Sequence, residues 1–224
     1  MKGLVTMCKR LQEVKWKGNF GDAYTERNGD ATEDVGSEIS FFEEALSATR
    51  DCCDGYDIKS CLEIGAGSGR NLVALTSIIP DCVCSAVEIN PIATQRLQKI
   101  PELAVFEGSI LDYSTEDLCK EGKYSLVLSA GVLIHIHPNL LPAVYELMYQ
   151  CSDKYLLVSE YYNPTPVEVK YRGERGLLFK RDFAGDLLDT YSDLELIDYG
   201  FRYHRDLFHP MDDLTYFLLK KRGA

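Results

Sequence analysis

Two apolar rhythms alternate along the chain. Compact runs, Cys61 to Ile64, Cys82 to Asn90, Leu103 to Phe106, Tyr124 to Ser129 and Tyr155 to Glu160, have the length and composition of buried strands. Between them lie segments of helical character: Asn71 to Ile79, Pro91 to Lys99, which its proline can start, and Asn139 to Cys151. Strands alternating with helices predict an α/β domain on a mostly parallel sheet. A helix from Phe183 to Tyr191 follows, then two strands, Leu194 to Tyr203 and Asp213 to Lys221, whose closeness predicts an antiparallel edge on that sheet. Upstream, Ile39, Phe41, Phe42, Ala45, Leu46 and Ala48 predict a helix from Gly36 to about Cys53 that lies against the sheet and closes its ligand side. Residues 1–36 hold no sustained period, so 1–53 reads as an N-terminal cap on a single domain, 1–224.

The first strand runs into Glu63-Ile64-Gly65-Ala66-Gly67-Ser68-Gly69-Arg70-Asn71, with glycine at every second position before a helix. Such a loop turns sharply and lets a ligand lie against the main chain. A phosphate loop would end in Gly-Lys-Ser/Thr, and a dinucleotide fingerprint would place its third glycine one residue later. Glu63 would repel a pyrophosphate, yet it suits the cationic amino-acid end of a nucleoside such as S-adenosylmethionine. The pattern resembles the first motif of class I S-adenosylmethionine-dependent methyltransferases. That resemblance implies a Rossmann-like, seven-stranded, mostly parallel sheet with helices on both faces and an antiparallel last strand.

Glu63, Gly65, Gly67 and Gly69 are then candidates for holding the donor. Glu88 lies 19 residues beyond Gly69, where nucleoside-binding α/β folds carry a carboxylate for the ribose hydroxyls. By the same resemblance, Ser109 and Ile110 would meet the adenine mainly through the main chain, since serine stands where the family often has an acid. Gly131 would line the donor after the fourth strand. Tyr24 and Arg27, in a segment similar to the entry of small methyltransferases, would reach the donor carboxylate, which Arg can clamp with paired hydrogen bonds. His135 and His137, two of four histidines, follow the fourth strand and so face the loop. Either can serve as a base for an attacking hydroxyl or amine, with a packed or capping histidine as the alternative.

Charge narrows the acceptor. The formal net charge of −11 argues against nucleic acid as a partner and favours a small molecule. No apolar run approaches the roughly 20 residues that span a bilayer, and Met1 to Trp16 lacks the apolar core of a secretion signal, so neither a membrane partner nor export is expected and the location reads as cytoplasmic. Eight cysteines, Cys52-Cys53 and Cys82-x-Cys84 among them, lack zinc-knuckle spacing; they read as reduced, mostly buried thiols, and no metal is expected. Against that acidic background, 161–182 forms a basic insert beginning at Tyr161, Tyr162 and Asn163 and carrying Lys170, Arg172, Arg175, Lys180 and Arg181. It is either a substrate-side site for an anion or a solvated loop. His204 to Asp206 and His209 to Asp213 are candidates for another wall of the acceptor pocket.

From Trp16 onward the chain also resembles the small methylases associated with pseudaminic acid biosynthesis, through Gly18 to Tyr24, Glu63 to Asn71, Gly131 to Ile136, Ser159 to Pro166 and Leu178 to Gly185. The resemblance implies methyl transfer to an oxygen or nitrogen of a small metabolite. An anionic acceptor, a nonulosonic acid or a phosphorylated or phosphoramidate intermediate, would suit the basic insert. The alternatives are a methyltransferase acting on protein or RNA, and a module that binds S-adenosylmethionine without turnover.

Overall fold

The computed structural model describes residues 11–31, 34–50 and 55–223. Seven strands form one sheet: β1 Ser60–Ile64, β2 Val83–Glu88, β3 Ala104–Glu107, β4 Tyr124–Ala130, β5 Ser152–Glu160, β8 Leu194–Arg202 and β9 Leu214–Lys221, in the order β3-β2-β1-β4-β5-β9-β8. Strands β1 to β5 run parallel, whereas β9 is antiparallel to both β5 and β8. The last strand is therefore antiparallel but not the edge; it is inserted between β5 and β8.

Alternation along each strand divides the core in two. Cys61, Leu126, Leu128, Leu157 and Leu218 face one side, packed with Phe41, Phe42, Leu72 and Leu75. Their neighbours Leu62, Val127, Leu156 and Leu219 face the other, packed with Val144, Met148, Phe183 and Leu187. Helices α3 Gly36–Ala45 and α4 Arg70–Ile78 thus cover the first face, and α7 Leu141–Cys151 and α8 Phe183–Thr190 the second. Between these pairs come α5 Pro91–Leu97 and α6 Thr115–Leu118. Asn90 caps α5 by accepting from the amides of Ile92 and Ala93, both at 3.0 Å.

Two segments differ from the sequence expectation. The cap contains two helices, α1 Leu11–Lys17 and α2 Asn19–Arg27, too short and polar for a period to emerge. Tertiary contacts hold them instead: the Trp16 ring packs edge-on against Phe20 and Tyr24, with centroids 5.2 and 5.1 Å away. The basic insert is a hairpin, β6 Val167–Tyr171 and β7 Glu174–Lys180, turned by Arg172 (φ 49°) and Gly173 (φ 88°). The helix expected from Gly36 to about Cys53 stops at Ala45, followed by a 3-10 turn at Ser47–Thr49. Cys8, Cys52 and Cys53 lie outside the described residues, and the five described cysteines are free thiols. No described helix is long and apolar enough to cross a membrane.

The sheet's order reverses at β1, which lies between β2 and β4, and the glycine loop leaves β1 at that crevice. Gly65 (φ 67°) faces Val132 so closely that a Cβ would sit 2.5 Å from its Cγ2, whereas a Cβ on Gly67 (φ 56°) would meet nothing within 4 Å. We expect Gly65→Ala to cost about 2–4 kcal/mol, strain and overlap combined. Gly67→Ala should cost only the left-handed backbone term, about 1–2 kcal/mol. Urea unfolding of the two variants measures the difference, and equal losses would contradict it.

Candidate active site

A cavity of about 560 Å³ opens at the carboxyl ends of β1, β2, β4 and β5, within the range of small-molecule sites. Its floor is the glycine loop, and Gly67 is bound there by an acid from the next strand. Glu88 Oε2 accepts from the Gly67 amide at 2.8 Å, while Oε1 accepts from the Asn90 amide at 2.7 Å. Burial raises the pKa of Glu88, against the lowering effect of those amides. The Asn90 side chain donates to Asp22 Oδ1 at 2.7 Å and to the Trp16 carbonyl at 3.1 Å, fastening the N-terminal helices over the floor.

Glu63 stands behind the wall rather than in it. Its Oε1 accepts from Asn71 at 2.6 Å, Oε2 has no partner, and burial pushes its pKa up to about 8. Asn71, Gly65, Gly67, Ser109, Ile110 and Gly131 line the cavity; Gly69 does not, and its left-handed φ of 89° instead starts α4 against Leu97 and Ile100. Ser109 Oγ donates to Glu13 of α1 at 2.8 Å, a second tie between cap and sheet. Tyr24 and Arg27 also line the cavity, with the guanidinium 6.0 Å from the Tyr24 ring centre. Burial pushes the Tyr24 hydroxyl up to about 12.

The two histidines part company. His135 lines the cavity, its Nδ1 2.6 Å from the Leu177 carbonyl and its ring between those of Trp16 and Tyr171. That carbonyl fixes the Nδ1–H tautomer, leaving Nε2 with the lone pair. Burial brings its pKa down to about 4, so it is neutral at pH 7 and acts as a hydrogen-bond acceptor rather than a base poised near neutrality. His137 lies outside the lining; its Nδ1 accepts from the Asn139 amide at 3.2 Å and caps a 3-10 turn.

The seven insert residues do not converge on the cavity, whose wall includes none of them. Arg172 and Arg175 are exposed, Lys180 lies over the Tyr161 ring at 4.7 Å, and Arg181 pairs with Asp186 at 2.7 Å. Tyr162 packs on Phe217, and Asn163 binds Thr165 and the Arg181 carbonyl. The Gly176 and Leu177 carbonyls of the hairpin meet the Gln12 and His135 side chains, while its cations stay out of the cavity wall. In the β8–β9 connection Met211 and Asp212 reach the wall, whereas His204 pairs with Asp213 at the surface. No group of acidic, histidine or cysteine side chains suited to a metal occurs among the described residues.

Several residues carry more of the site than their sequence signal suggests. Trp16, Gln12 and Ser159 line it. Glu160, 2% exposed at the end of β5, holds the loop that bears His135. Its Oε1 accepts from Ser129 Oγ (2.7 Å) and the amides of Val132 (3.0 Å) and Leu133 (2.9 Å), and Oε2 accepts from Ile134 (3.4 Å). A strand-end acid matching Glu88 was the available signal.

No family model matches the chain, and no curated protein does. Solved structures do match in fold. The 1,6-didemethyltoxoflavin-N1-methyltransferase of Burkholderia thailandensis, with 1,6-didemethyltoxoflavin and S-adenosylhomocysteine bound, is 14% identical, with a TM-score of 0.64 over 99% of this chain and 90% of that one. Magnesium protoporphyrin IX methyltransferase from Synechocystis PCC 6803, with S-adenosylhomocysteine bound, gives 0.63 at 13% identity over 96% and 99%. The plantazolicin methyltransferase BpumL gives 0.61 at 12% identity over 99% of each chain. The fold is the class I methyltransferase fold.

Burial raises the Glu160 pKa to about 7, from 4.5. Folding therefore takes up a proton between those values, and this group's contribution to stability falls as pH rises from 4.5 through 7. Glu160→Gln should remove that slope, so the variant gains on the wild type as pH rises across the window. Glu160→Leu, which orphans three amides, should cost about 2–4 kcal/mol. Urea titrations at pH 5 and 8 test both; a pH-independent difference between Gln variant and wild type would contradict the assignment.

Proposed function

We propose that this protein is an S-adenosylmethionine-dependent methyltransferase acting on a small molecule. The observation that carries the proposal is the glycine cradle with the Glu88 carboxylate drawn against it, at the reversal of strand order. The residues present fit such a donor: the side of Gly67 is open, and Glu63 leaves one buried carboxyl oxygen unpaired close behind the loop.

When bound, S-adenosylmethionine supplies a methyl group already activated on a sulfonium. In this reading Glu88 exchanges its contacts with the main chain for the ribose hydroxyls, and the main chain at Ser109 and Ile110 meets the adenine. Tyr24 and Arg27 take the carboxylate, while Glu63 offsets the positive charge of the amino-acid end. The chain's remaining task is to align an acceptor oxygen or nitrogen, and good alignment alone is worth up to about 7–11 kcal/mol. His135 Nε2 is suited to receive a hydrogen bond from the attacking group and so to orient it.

The narrower reading, an anionic acceptor of surface-sugar synthesis such as a nonulosonic acid, rests on the sequence resemblance. It gains nothing from the insert, whose cations lie away from the cavity.

Calorimetric titration with S-adenosylmethionine at pH 7, in two buffers of different ionisation enthalpy, tests the proposal. Glu63, with a pKa of about 8, is mostly protonated in the free protein, and a cation beside it lowers that value. Uptake should therefore release a proton in the wild type and not in Glu63→Gln. Absence of any uptake would sink the proposal.

A further inference from the structure

Buried polar side-chain atoms without a partner are few, and most of them surround the cavity. Among the described residues they are Gln12 Oε1, Trp16 Nε1, Glu63 Oε2, Ser159 Oγ and Arg181 Nε. The Arg181 atom is 2.7 Å from Asp186, and Glu63 stands behind the glycine loop; Gln12, Trp16 and Ser159 line the cavity itself. Each such atom is unfavourable unless something satisfies it. Clustering at one cavity points to a ligand that does so.

Gln12 and Trp16 form a pair. They lie one helical turn apart on α1 and so share a face. Gln12 Nε2 donates to the Gly176 carbonyl at 2.7 Å, a contact that its amide oxygen could not make. The atom left over is therefore an acceptor, whereas the free Trp16 Nε1 can only donate. Together they ask for one donor and one acceptor on the same ligand edge.

The surroundings give the rest of that ligand's character. The Trp16 ring centre lies 4.6 Å from that of His135, and the His135 ring 5.2 Å from Tyr171. Of these rings Trp16 and His135 line the cavity, and aromatic lining suits a planar molecule. Lys15, the cation between the pair on α1, is bound to Glu174 at 2.6 Å, and neighbouring His135 is neutral at pH 7, so neither brings a positive charge to this edge. Gln12 and His135 both rest on carbonyls of β7, Gly176 and Leu177. Trp16 packs on the loop after β4, while Glu88 ends β2 and Ser109 follows β3 on the far side of β1. The pair's side chains thus rest on the loop after β4 and on β7, while the Trp16 carbonyl and the neighbouring Glu13 tie α1 to Asn90 and Ser109 on the nucleoside side.

We propose that Gln12 Oε1 and Trp16 Nε1–H read the methyl acceptor, and that this acceptor is a planar heterocycle with a lactam-like edge, an N–H beside a carbonyl. The proposal rests on the functional reading above and adds the class of substrate. An amine beside a ring nitrogen, as on the donor's own adenine, offers similar chemistry, so the test has an arm for each source.

Wild type, Trp16→Phe and Gln12→Leu are first titrated with S-adenosylhomocysteine, then, loaded with it, with lumazine, 2-quinolone and N-acetylneuraminate. Trp16→Phe keeps an aromatic ring and removes the N–H donor together with the pyrrole half of the indole. The expected result is binding of at least one of the two lactams to the loaded wild type, about tenfold weaker in each variant, with S-adenosylhomocysteine affinity unchanged within twofold. Tenfold weaker S-adenosylhomocysteine binding in Trp16→Phe would assign the pair to the adenine and overturn the proposal. So would binding of N-acetylneuraminate with neither lactam bound, or no binding of any of the three. Failure of the wild type to take up S-adenosylhomocysteine is read separately, in the first titration, and removes the functional reading itself.

Discussion

One carboxylate at the end of the second strand sets the geometry of the cavity. Glu88 accepts from Gly67 on one oxygen and from Asn90 on the other, so a single buried side chain fixes the glycine loop against the next turn. The constraint propagates. Asn90, held by its backbone, uses its side chain to cap α5 and to anchor Asp22 and the Trp16 carbonyl. The roof made by α1 and α2 is thereby positioned from the floor, and Gly21 permits the close approach, since a Cβ there would sit 1.8 Å from the Trp16 carbonyl oxygen.

Glu160 does at β5 what Glu88 does at β2, gathering backbone amides of the loop beyond a neighbouring strand. With Glu63, three acids lie buried around one crevice. Burial holds Glu63 and Glu160 near pKa 8 and 7, so at neutral pH the site is less negative than its composition implies. Such acids respond to a cation placed near them, which suits a site that takes up a positively charged ligand and lets go of a neutral one.

The parallel core was legible because each strand is a short apolar run and the glycine loop has a spacing that few other structures need. Glu88 was legible from its distance along the chain. The N-terminal helices were not, because α1 and α2 are seven and nine residues long and owe their form to Trp16 and Asn90 rather than to a period. The basic insert misled for a related reason. Sequence shows how many cations a segment carries, but the hairpin decides where they point, and it sends Arg172 and Arg175 to solvent and Arg181 to Asp186. His135 was found by position, yet its chemistry depends on burial and on the Leu177 carbonyl, neither of which leaves a mark in the sequence.

A crystal structure of the complex with S-adenosylhomocysteine is the most direct measurement. The account predicts the ribose hydroxyls within hydrogen-bond distance of both Glu88 oxygens, with the adenine beside Ile110. A nucleoside bound elsewhere in the fold, or Glu88 still held by Gly67 and Asn90 with the ribose out of its reach, would contradict it.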